Sequence, residues 1–239
     1  MTLPDFSFEK KMWKQDFKIV AGVDEVGRGC FAGPVVAAAV AFAPNQKLKI
    51  KIDDSKKLTP EQRERADKWV RENALAVGIG QASVAQINKF GIKKASEIAF
   101  RKAIKMANHC LQNADYSLLK KQKTVSSNQL TVDCVLIDAF YISYVKGLRR
   151  KNQRAIVKGD TKSISIAAAS IVAKVYRDKL MTKISKNPKF RVYKWGKNKG
   201  YGTKEHQNAI KKYGITRQHR KDFVNSWLEN SKKQITNTK

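Results

Sequence analysis

The stretch 20–34 ends an apolar run in two adjacent carboxylates and then turns on glycines. Residues 19–23 are apolar or small, which is typical of a buried strand, and Asp24 and Glu25 follow directly. Two carboxylates at the end of a buried strand need a partner, because an unpaired charge is costly to remove from water. Hard divalent cations take carboxylate oxygens. The stretch therefore predicts a metal site at the end of the first strand.

The turn Gly27-Arg28-Gly29 follows these acids at once. Glycines on both sides of an arginine allow the backbone to approach a ligand closely, and a phosphate or a sugar fits such a turn. Gly27, Arg28 and Gly29 are therefore candidate substrate contacts.

Two further apolar runs also end in acids. Residues 134–137 lead into Asp138, and residues 155–157 lead through Lys158 and Gly159 into Asp160. If these runs are neighbouring strands, all four acids meet at one end of a sheet, where they repel one another unless metal is bound. Each aspartate alone is explained equally well as a turn residue. The recurrence favours the metal site.

Size and cysteine usage limit the class of protein. The chain of 239 residues is long enough for one domain with a full core. Its longest apolar run, 35–43, is too short to cross a bilayer, and the N-terminus has no stretch of signal-peptide type. The cysteines Cys30, Cys110 and Cys134 are odd in number and widely spaced. We expect a cytoplasmic monomer that does not bind membrane.

The net charge of +29, from 49 Lys and Arg against 20 Asp and Glu, points to a polyanionic partner. Nucleic acid is the first candidate and an anionic membrane surface the second. Twelve of the basic residues lie in 186–221 with one acid, Glu205, and aromatic residues are interleaved among them, as in nucleic-acid-binding surfaces. These aromatics are Phe190, Tyr193, Trp195, Tyr201 and Tyr213. A surface charged only for solubility is the alternative.

The periodicity predicts an α/β domain with a mixed sheet. Strands are predicted near 19–25, 35–42, 77–84, 132–138 and 154–158. Helices are predicted from Thr59 towards Gly78, at 92–112, at 164–181, from Thr203 to Gly214, and at 223–229. Residues 113–131 are polar and predict a long loop.

At this point the motifs resemble the type 2 ribonuclease H family, ribonuclease HII. They occur in family order over 22–222: GVDEVGRG at 22–29, AGPVVAAAV at 32–40, DSKKL at 54–58, LID at 136–138, VKGD at 157–160, SIAAASIVAKV at 165–175, RD at 177–178, KGYGT at 199–203 and HR at 219–220. The resemblance implies an α/β fold, a ribonuclease H-like mixed sheet flanked by helices with a helical C-terminal part.

The resemblance also implies an activity. It implies hydrolysis of the RNA strand of RNA–DNA hybrids and cleavage 5′ of ribonucleotides embedded in duplex DNA. Two-metal hydrolysis with Mn²⁺ or Mg²⁺ would leave 5′-phosphate and 3′-hydroxyl ends. The catalytic and metal-binding acids carried over are Asp24, Glu25, Asp138 and Asp160. Arg28 would grip the ribonucleotide beside the scissile phosphate, and Tyr201 would sit against its ribose.

Other residues are assigned less directly. Lys56, Lys57, Lys162 and Ser163 are candidate phosphate contacts, with solvated surface as the alternative. His219, Arg220 and His206 are read as substrate or structural contacts, and a general-base histidine stays open. Asp178 is placed outside the catalytic set, because Lys174 and Arg177 are expected to pair with it.

The chain departs from the family pattern in places. Cys30 stands where proline is frequent, and Asp222 stands where serine is usual, which puts a phosphate contact there in doubt. The segments 113–131 and 139–153 are longer than the family norm, and the lead-in is too short for the extra domain of ribonuclease HIII. A sliding-clamp contact is left open.

The expected segments are a basic lead-in at 1–18, weakly ordered in part, a catalytic domain at 19–185, a basic helical substrate-binding region at 186–230 and a tail at 231–239. Two rival functions remain. One is a non-catalytic nucleic-acid-binding protein, and the other is a recombinase-like DNA nuclease.

Overall fold

The computed structural model describes residues 3–113, 130–138 and 140–236. Its strands are β1 (Val20–Val26), β2 (Val35–Ala41), β3 (Ala76–Ala82), β4 (Cys134–Asp138) and β5 (Gln153–Ile156). Its helices are α1 (Ser7–Trp13), α2 (Pro60–Asn73), α3 (Val84–Asn113), α4 (Ile164–Ser185), α5 (Trp195–Asn198), α6 (Lys204–Tyr213) and α7 (Lys221–Thr236). Short 3₁₀ turns lie at Arg150–Asn152, Gly159–Thr161 and Pro188–Tyr193.

The strands form one mixed sheet in the order β3-β2-β1-β4-β5. The pairs β1–β2 and β2–β3 are antiparallel, whereas β1–β4 and β4–β5 are parallel. Helices flank the sheet, and a helical part follows it, so the predicted fold class is confirmed. The parallel pairs bring the carboxyl ends of β1 and β4 to the same edge, which decides where the acids meet.

Each face of the sheet carries its own core. On one face, alternate residues of β1 and β2 pack with α3, including Phe100 and Ile104. On the other face, the intervening residues of β2 pack with α2 and α4, including Trp69 and Ile171. Burial on both faces explains why β2 is apolar along its whole length.

Helix α4 lies unusually close to β1. A Cβ atom built on Gly22 would lie 2.1 Å from the carbonyl carbon of Ser165. The small residues Ala167, Ala168 and Ala169 continue this contact face and are fully buried. The small-residue run therefore packs tightly on the sheet, as its composition predicts.

Local end signals behave as the sequence predicts. The Thr59 side chain accepts from the Gln62 N–H and the Gln62 side chain accepts from the Thr59 N–H, which completes the capping box of α2. Helix α2 ends at Asn73, several residues before the predicted end. Helix α3 begins earlier than predicted, at Val84, and is interrupted at Gly91, where φ is 76°. Of the predicted loop 113–131, residues 114–129 lie outside the described residues.

The N-terminal lead-in, which the sequence predicts to be weakly ordered in part, contains the helix α1. Helix α1 packs Met12, 4% exposed, against β1 and β4. The Phe6 ring meets the Phe42 ring edge-on, with centroids 5.7 Å apart. The apolar residues of this segment therefore pack against the sheet, although the segment also carries several lysines.

The aromatic residues of the basic region mostly form a core of their own. Trp195 is fully buried, and Tyr193 stacks on it with centroids 5.1 Å apart. Phe190 packs against the same indole ring. The prediction that these three rings face sugars or bases is therefore wrong. Tyr201 and Tyr213 remain exposed. Among the described residues, no helix is long and apolar enough to cross a membrane.

The contact at Gly22 makes a testable prediction. Gly22→Ala should destabilise the protein by about 2 kcal/mol or more, because the added methyl group overlaps the backbone of α4. Urea denaturation measures this change. Gly29→Ala is the matched control, since a Cβ there meets nothing within 4 Å. Equal stability of the two variants would contradict the packing described.

Candidate active site

The four predicted acids converge at one edge of the sheet. In the parallel pair β1–β4, Val23 lies opposite Ile137, so the next residues, Asp24 and Asp138, lie side by side. Asp138 ends β4, whereas β1 continues for two residues beyond Asp24, so the predicted position of Asp24 at the end of its strand is wrong. Asp160 follows β5 in the 3₁₀ turn Gly159–Thr161. The structure thus brings together the acids that the strand-end argument selected.

Burial and mutual repulsion shape the protonation of this site. Burial raises the pKa of Asp24 well above its usual range, and the charges of Glu25 and Asp138 raise it further. Hydrogen bonds from the Ser170 hydroxyl and from the Glu25 N–H, the latter at 2.8 Å, oppose the shift. Burial and the neighbouring acids therefore disfavour the charged form of Asp24.

Glu25 is subject to the same conflict. Burial raises its pKa to about 7, and Asp138 adds to the rise. Arg28 opposes it, because its Nη1 lies 3.1 Å from Glu25 Oε1. The arginine only partly compensates the buried charge.

Asp160 has both acidic and basic neighbours, which act on its pKa in opposite directions. Burial raises its pKa, and the charges of Asp138 and Asp54 raise it further. Lys56 opposes this shift, with its Nζ 3.8 Å from Asp160 Oδ2. The Gly159 N–H, one residue before Asp160, donates to Asp138 Oδ1 at 2.8 Å. One turn therefore positions two of the acids.

The chemistry of these carboxylates suits a divalent cation, although the described side chains are not arranged as a complete set of ligands. Within residues 3–113, 130–138 and 140–236, no group of three or more His, Cys, Asp or Glu side chains is arranged to hold a metal ion. Mg²⁺, however, is usually held by one or two carboxylates together with waters and substrate phosphates. Clustered carboxylate oxygens with raised pKa values supply the charge and the hard ligands that such a cation requires.

The glycine turn lies beside these acids. Arg28 is held between the Glu25 carboxylate and the Phe140 ring, with its guanidinium carbon 5.0 Å from the ring centroid. Gly27 adopts φ 91°, and a Cβ there would lie 2.2 Å from Arg177 Nε. Gly29 faces open space. Its backbone is therefore free for close approach by a ligand.

Two buried arginines hold this turn in place. Arg177 donates to the backbone oxygens of Pro34, Ala32 and Lys199 at 2.9, 3.0 and 2.8 Å. Arg220 donates to the oxygens of Gly33 and Arg28 at 3.0 and 2.7 Å. The prediction that Arg220 contacts substrate is contradicted by its complete burial.

Asp178 pairs with only one of the two basic residues that were predicted to be its partners. The Lys174 ammonium lies 2.9 Å from its Oδ1, which confirms this pair. Arg177, by contrast, turns inward to backbone carbonyls rather than to Asp178. Asp178 lies outside the carboxylate cluster as expected.

Ser163 and His219 are also buried, which contradicts direct contact of their side chains with substrate. Ser163 caps α4 by accepting from the Ile166 N–H. His219 and His206 face each other with their Nε2 atoms 3.1 Å apart, and the Trp195 indole N–H donates to His206 at 3.0 Å. Burial lowers the pKa of His219 to about 4. Both histidines are structural residues of the C-terminal core.

The remaining predicted contacts are accessible. Lys56 and Lys162 are exposed beside Asp160, whereas Lys57 lies 3.3 Å from the Asp53 carboxylate. Tyr201 is 39% exposed.

A basic groove with a volume of about 1010 Å³ lies between α2, α4 and α5, and Tyr201 lines it. Lys183, Lys186 and Lys199 line it, together with Lys174 and other residues.

Sequence reasoning missed several residues of the site. Ser170 lowers the pKa of Asp24, and its hydroxyl lies 3.0 Å from the Ser55 hydroxyl, which links α4 to the segment 54–58. Asp54 adds negative charge beside Asp160. For these two the signal existed, since both lie in the motifs at 54–58 and 165–175. Phe140 and the inward course of Arg177 carried no signal in the sequence.

The raised pKa of Glu25 makes a prediction for metal-free protein. A carboxyl whose pKa is about 7 when folded and near 4.5 when unfolded costs stability above pH 7, and the cost disappears as pH falls below 4.5. Glu25→Gln should therefore raise Tm by a few degrees at about pH 8 and not at about pH 4. Thermal melts with a chelator measure this, with the exposed Glu72→Gln as control. An equal Tm of wild type and Glu25→Gln at the higher pH would contradict it.

Comparison with known proteins agrees with this geometry. Residues 21–227 match the family described as Ribonuclease HII. Ribonuclease HII of Wolbachia pipientis subsp. Culex pipiens (strain wPip) is 43% identical over 225 residues, covering 94% of this chain and 98% of that protein.

Two solved structures have the same fold. The structure of the PCNA:RNase HII complex from Archaeoglobus fulgidus has a TM-score of 0.57 and 25% identity over 84% of this chain and 93% of that one. The structure of Bst-RNase HIII in complex with Mn²⁺ has a TM-score of 0.60 and 19% identity, and the match covers 90% of this chain and 70% of that chain. The chain therefore belongs to the ribonuclease HII family, metal-dependent endoribonucleases that cut the RNA strand of RNA–DNA hybrids.

Proposed function

We propose that this chain cuts on the 5′ side of ribonucleotides embedded in duplex DNA as well as in RNA–DNA hybrids, leaving 5′-phosphate and 3′-hydroxyl ends. Asp24, Glu25, Asp138 and Asp160 are the catalytic residues of this proposal and hold two divalent cations, Mn²⁺ or Mg²⁺. The observation that carries it is the cluster of buried carboxylates with raised pKa values at one sheet edge. The Mn²⁺ complex of the Bst-RNase HIII structure supports the choice of metal.

When bound, two such ions lower the pKa of an attacking water and stabilise the leaving oxygen. The chain's own residues supply position and charge. Asp24 and Asp138 are fixed side by side by the strand register. Lys56 lies on the solvent side of Asp160, where an ammonium group can meet the phosphate of an incoming strand.

Recognition of the ribonucleotide is assigned to the glycine turn and Tyr201. The 2′-hydroxyl both donates and accepts hydrogen bonds, and it alone distinguishes the two nucleotide types at a given site. Gly29 leaves its backbone open, directly beside Glu25 and Arg28. Tyr201, packed near the Lys174 ammonium at 5.7 Å, presents an exposed ring for the sugar.

The basic groove is assigned to the duplex beyond the cleavage site. Tyr201 lines it, and Lys183 and Lys186 are exposed along it. Ammonium groups in such a groove gain affinity by releasing counterions from the phosphate backbone. The region 186–230 thus supplies part of the substrate surface and α4 supplies the rest. A sliding clamp is a further candidate partner, which the PCNA complex of the Archaeoglobus relative supports.

The acids are tested by amide substitution. Asp24→Asn, Asp138→Asn and Asp160→Asn should each nearly abolish cleavage, while Tm and duplex binding persist, because the amide keeps the shape and loses the charge. Cleavage assays over a range of Mn²⁺ concentrations measure this, with Asp178→Asn as the matched control that should keep activity. Near-wild-type cleavage by Asp138→Asn or Asp160→Asn at saturating metal would remove that residue from the set.

Tyr201 is tested by truncation of its ring. Tyr201→Ala should reduce cleavage at a single ribonucleotide far more than binding to the duplex, and Tyr201→Phe should keep most of the activity, because the ring rather than the hydroxyl meets the sugar. Matched duplexes with no, one or several ribonucleotides measure both effects. If Tyr201→Ala instead weakens binding to all duplexes equally and keeps its cleavage preference, Tyr201 is an ordinary stacking contact.

A further inference from the structure

Helix α1 buries a carboxylate that the proposed chemistry does not use. Glu9 is fully buried. Its Oε1 accepts from the Ser163 hydroxyl at 2.6 Å, the Ser165 N–H at 2.9 Å and the Ser165 hydroxyl at 2.5 Å. Its Oε2 has no hydrogen-bond partner among the described residues. A buried carboxylate with one unpaired oxygen is costly, so this placement needs a compensating gain.

Helix α4 supplies part of the stabilisation that offsets the burial of the Glu9 carboxylate. Ser163 is the N-cap of this 22-residue helix, and Ser165 lies in its first turn. The Glu9 carboxylate therefore lies at the positive end of the helix dipole and accepts one of its free N–H groups. A neutral side chain at this position keeps the shape but loses the charge interaction.

The same contacts lead directly to the active site. The Ser163 N–H donates to the Gly159 oxygen at 2.9 Å, and the Gly159 N–H donates to Asp138 Oδ1 at 2.8 Å. Gly159 opens the turn that carries Asp160. Through its hydrogen bond with Ser163, Glu9 thus holds the turn that positions two of the four acids.

A second link from the same N-terminal segment closes on this turn. The Asp5 N–H donates to the Lys162 oxygen at 3.2 Å, and the Ile164 N–H donates to the Asp5 oxygen at 3.1 Å. Asp5 and Ser163 thereby form a short parallel bridge. The N-terminal segment holds the chain on both sides of Ser163, immediately after Asp160.

We propose that Glu9 is a positioning residue, which fixes the turn at 159–163 and so sets the affinity of Asp138 and Asp160 for a divalent cation. This inference rests on the proposed function of those acids. Glu9 lies before the segment 21–227 that matches the family. The role of Glu9 is therefore inferred from the contacts of the N-terminal segment.

The test compares Glu9→Ala with Glu9→Gln. Glu9→Ala should weaken Mn²⁺ binding by about 10-fold, as removal of residues that orient metal ligands does. Glu9→Gln should restore most of the affinity, because the amide oxygen still accepts from Ser163 and Ser165. Mn²⁺ binding is measured by electron paramagnetic resonance of free Mn²⁺, without turnover. Hydrogen exchange should become faster at the amides of residues 161–163 in Glu9→Ala.

Met12→Ala is the matched control, because Met12 is buried on the same helix and packs against β1 and β4. It should lower Tm without changing Mn²⁺ affinity or exchange at 161–163. If both variants weaken Mn²⁺ binding in proportion to their loss of Tm, Glu9 is merely structural and the inference is wrong. Should Glu9→Ala not fold, Ser165→Ala removes one of the donors to Glu9 and is measured in the same way, with unchanged Mn²⁺ affinity counting against the inference. Failure of the proposed function would appear separately, as unchanged Mn²⁺ binding in Asp138→Asn.

Discussion

The close approach of α4 to β1 at Gly22 determines the geometry of the active site. Because no side chain separates the helix from the strand, Ser170 of α4 lies close enough to Asp24 of β1 to lower its pKa. The start of the same helix contacts Glu9, and Arg177, further along the helix, holds the loop of the glycine turn. A single tight contact between a strand and a helix therefore aligns the acids, the turn and the N-terminal segment.

The carboxylate cluster opposes folding, whereas the close contact of α4 with β1 supports it. Asp24, Glu25 and Asp160 all have raised pKa values because burial and neighbouring acids disfavour their charged forms. Nearby cations are few and peripheral: Arg28 meets Glu25 from an exposed position, and Lys56 meets Asp160 from solvent. Such an imbalance is costly in the free protein and is relieved by a bound cation, which is the electrostatic preorganisation expected of a metal-dependent nuclease.

The sequence was informative wherever a local pattern decides the outcome. Apolar runs ending in Asp24, Asp138 and Asp160 predicted both strands and acids, and the register of β1 and β4 agrees. The capping signals at Thr59 and Thr203 also predicted the helix starts. The rival reading of a binding protein without catalysis is excluded by membership of the ribonuclease HII family.

Prediction failed where a residue's role depends on distant partners. Arg220 was predicted to contact substrate, yet it is buried and donates to the backbone oxygen of Arg28, 192 positions away. Ser163 was predicted at the surface, and its burial depends on Glu9, 154 positions earlier. Basic and aromatic residues alternate in 186–221, but the alternation does not reveal that Trp195 packs inward. Composition reports the charge of a surface and not which side chains reach it.

The two buried arginines join the C-terminal part of the chain to the loop of the glycine turn. Arg177 binds the Lys199 oxygen and the loop of the glycine turn together, and Arg220 joins that loop to the start of α7. Tyr201 lies two residues after Lys199, and its backbone oxygen lies 2.9 Å from Nδ1 of His206. The glycine turn and Tyr201 are thus fixed to one hydrogen-bonded unit. A displacement of the C-terminal core would move both of them relative to the acids on the sheet. On the recognition roles proposed above, discrimination between nucleotides therefore depends on the same buried contacts that join the C-terminal core to the sheet.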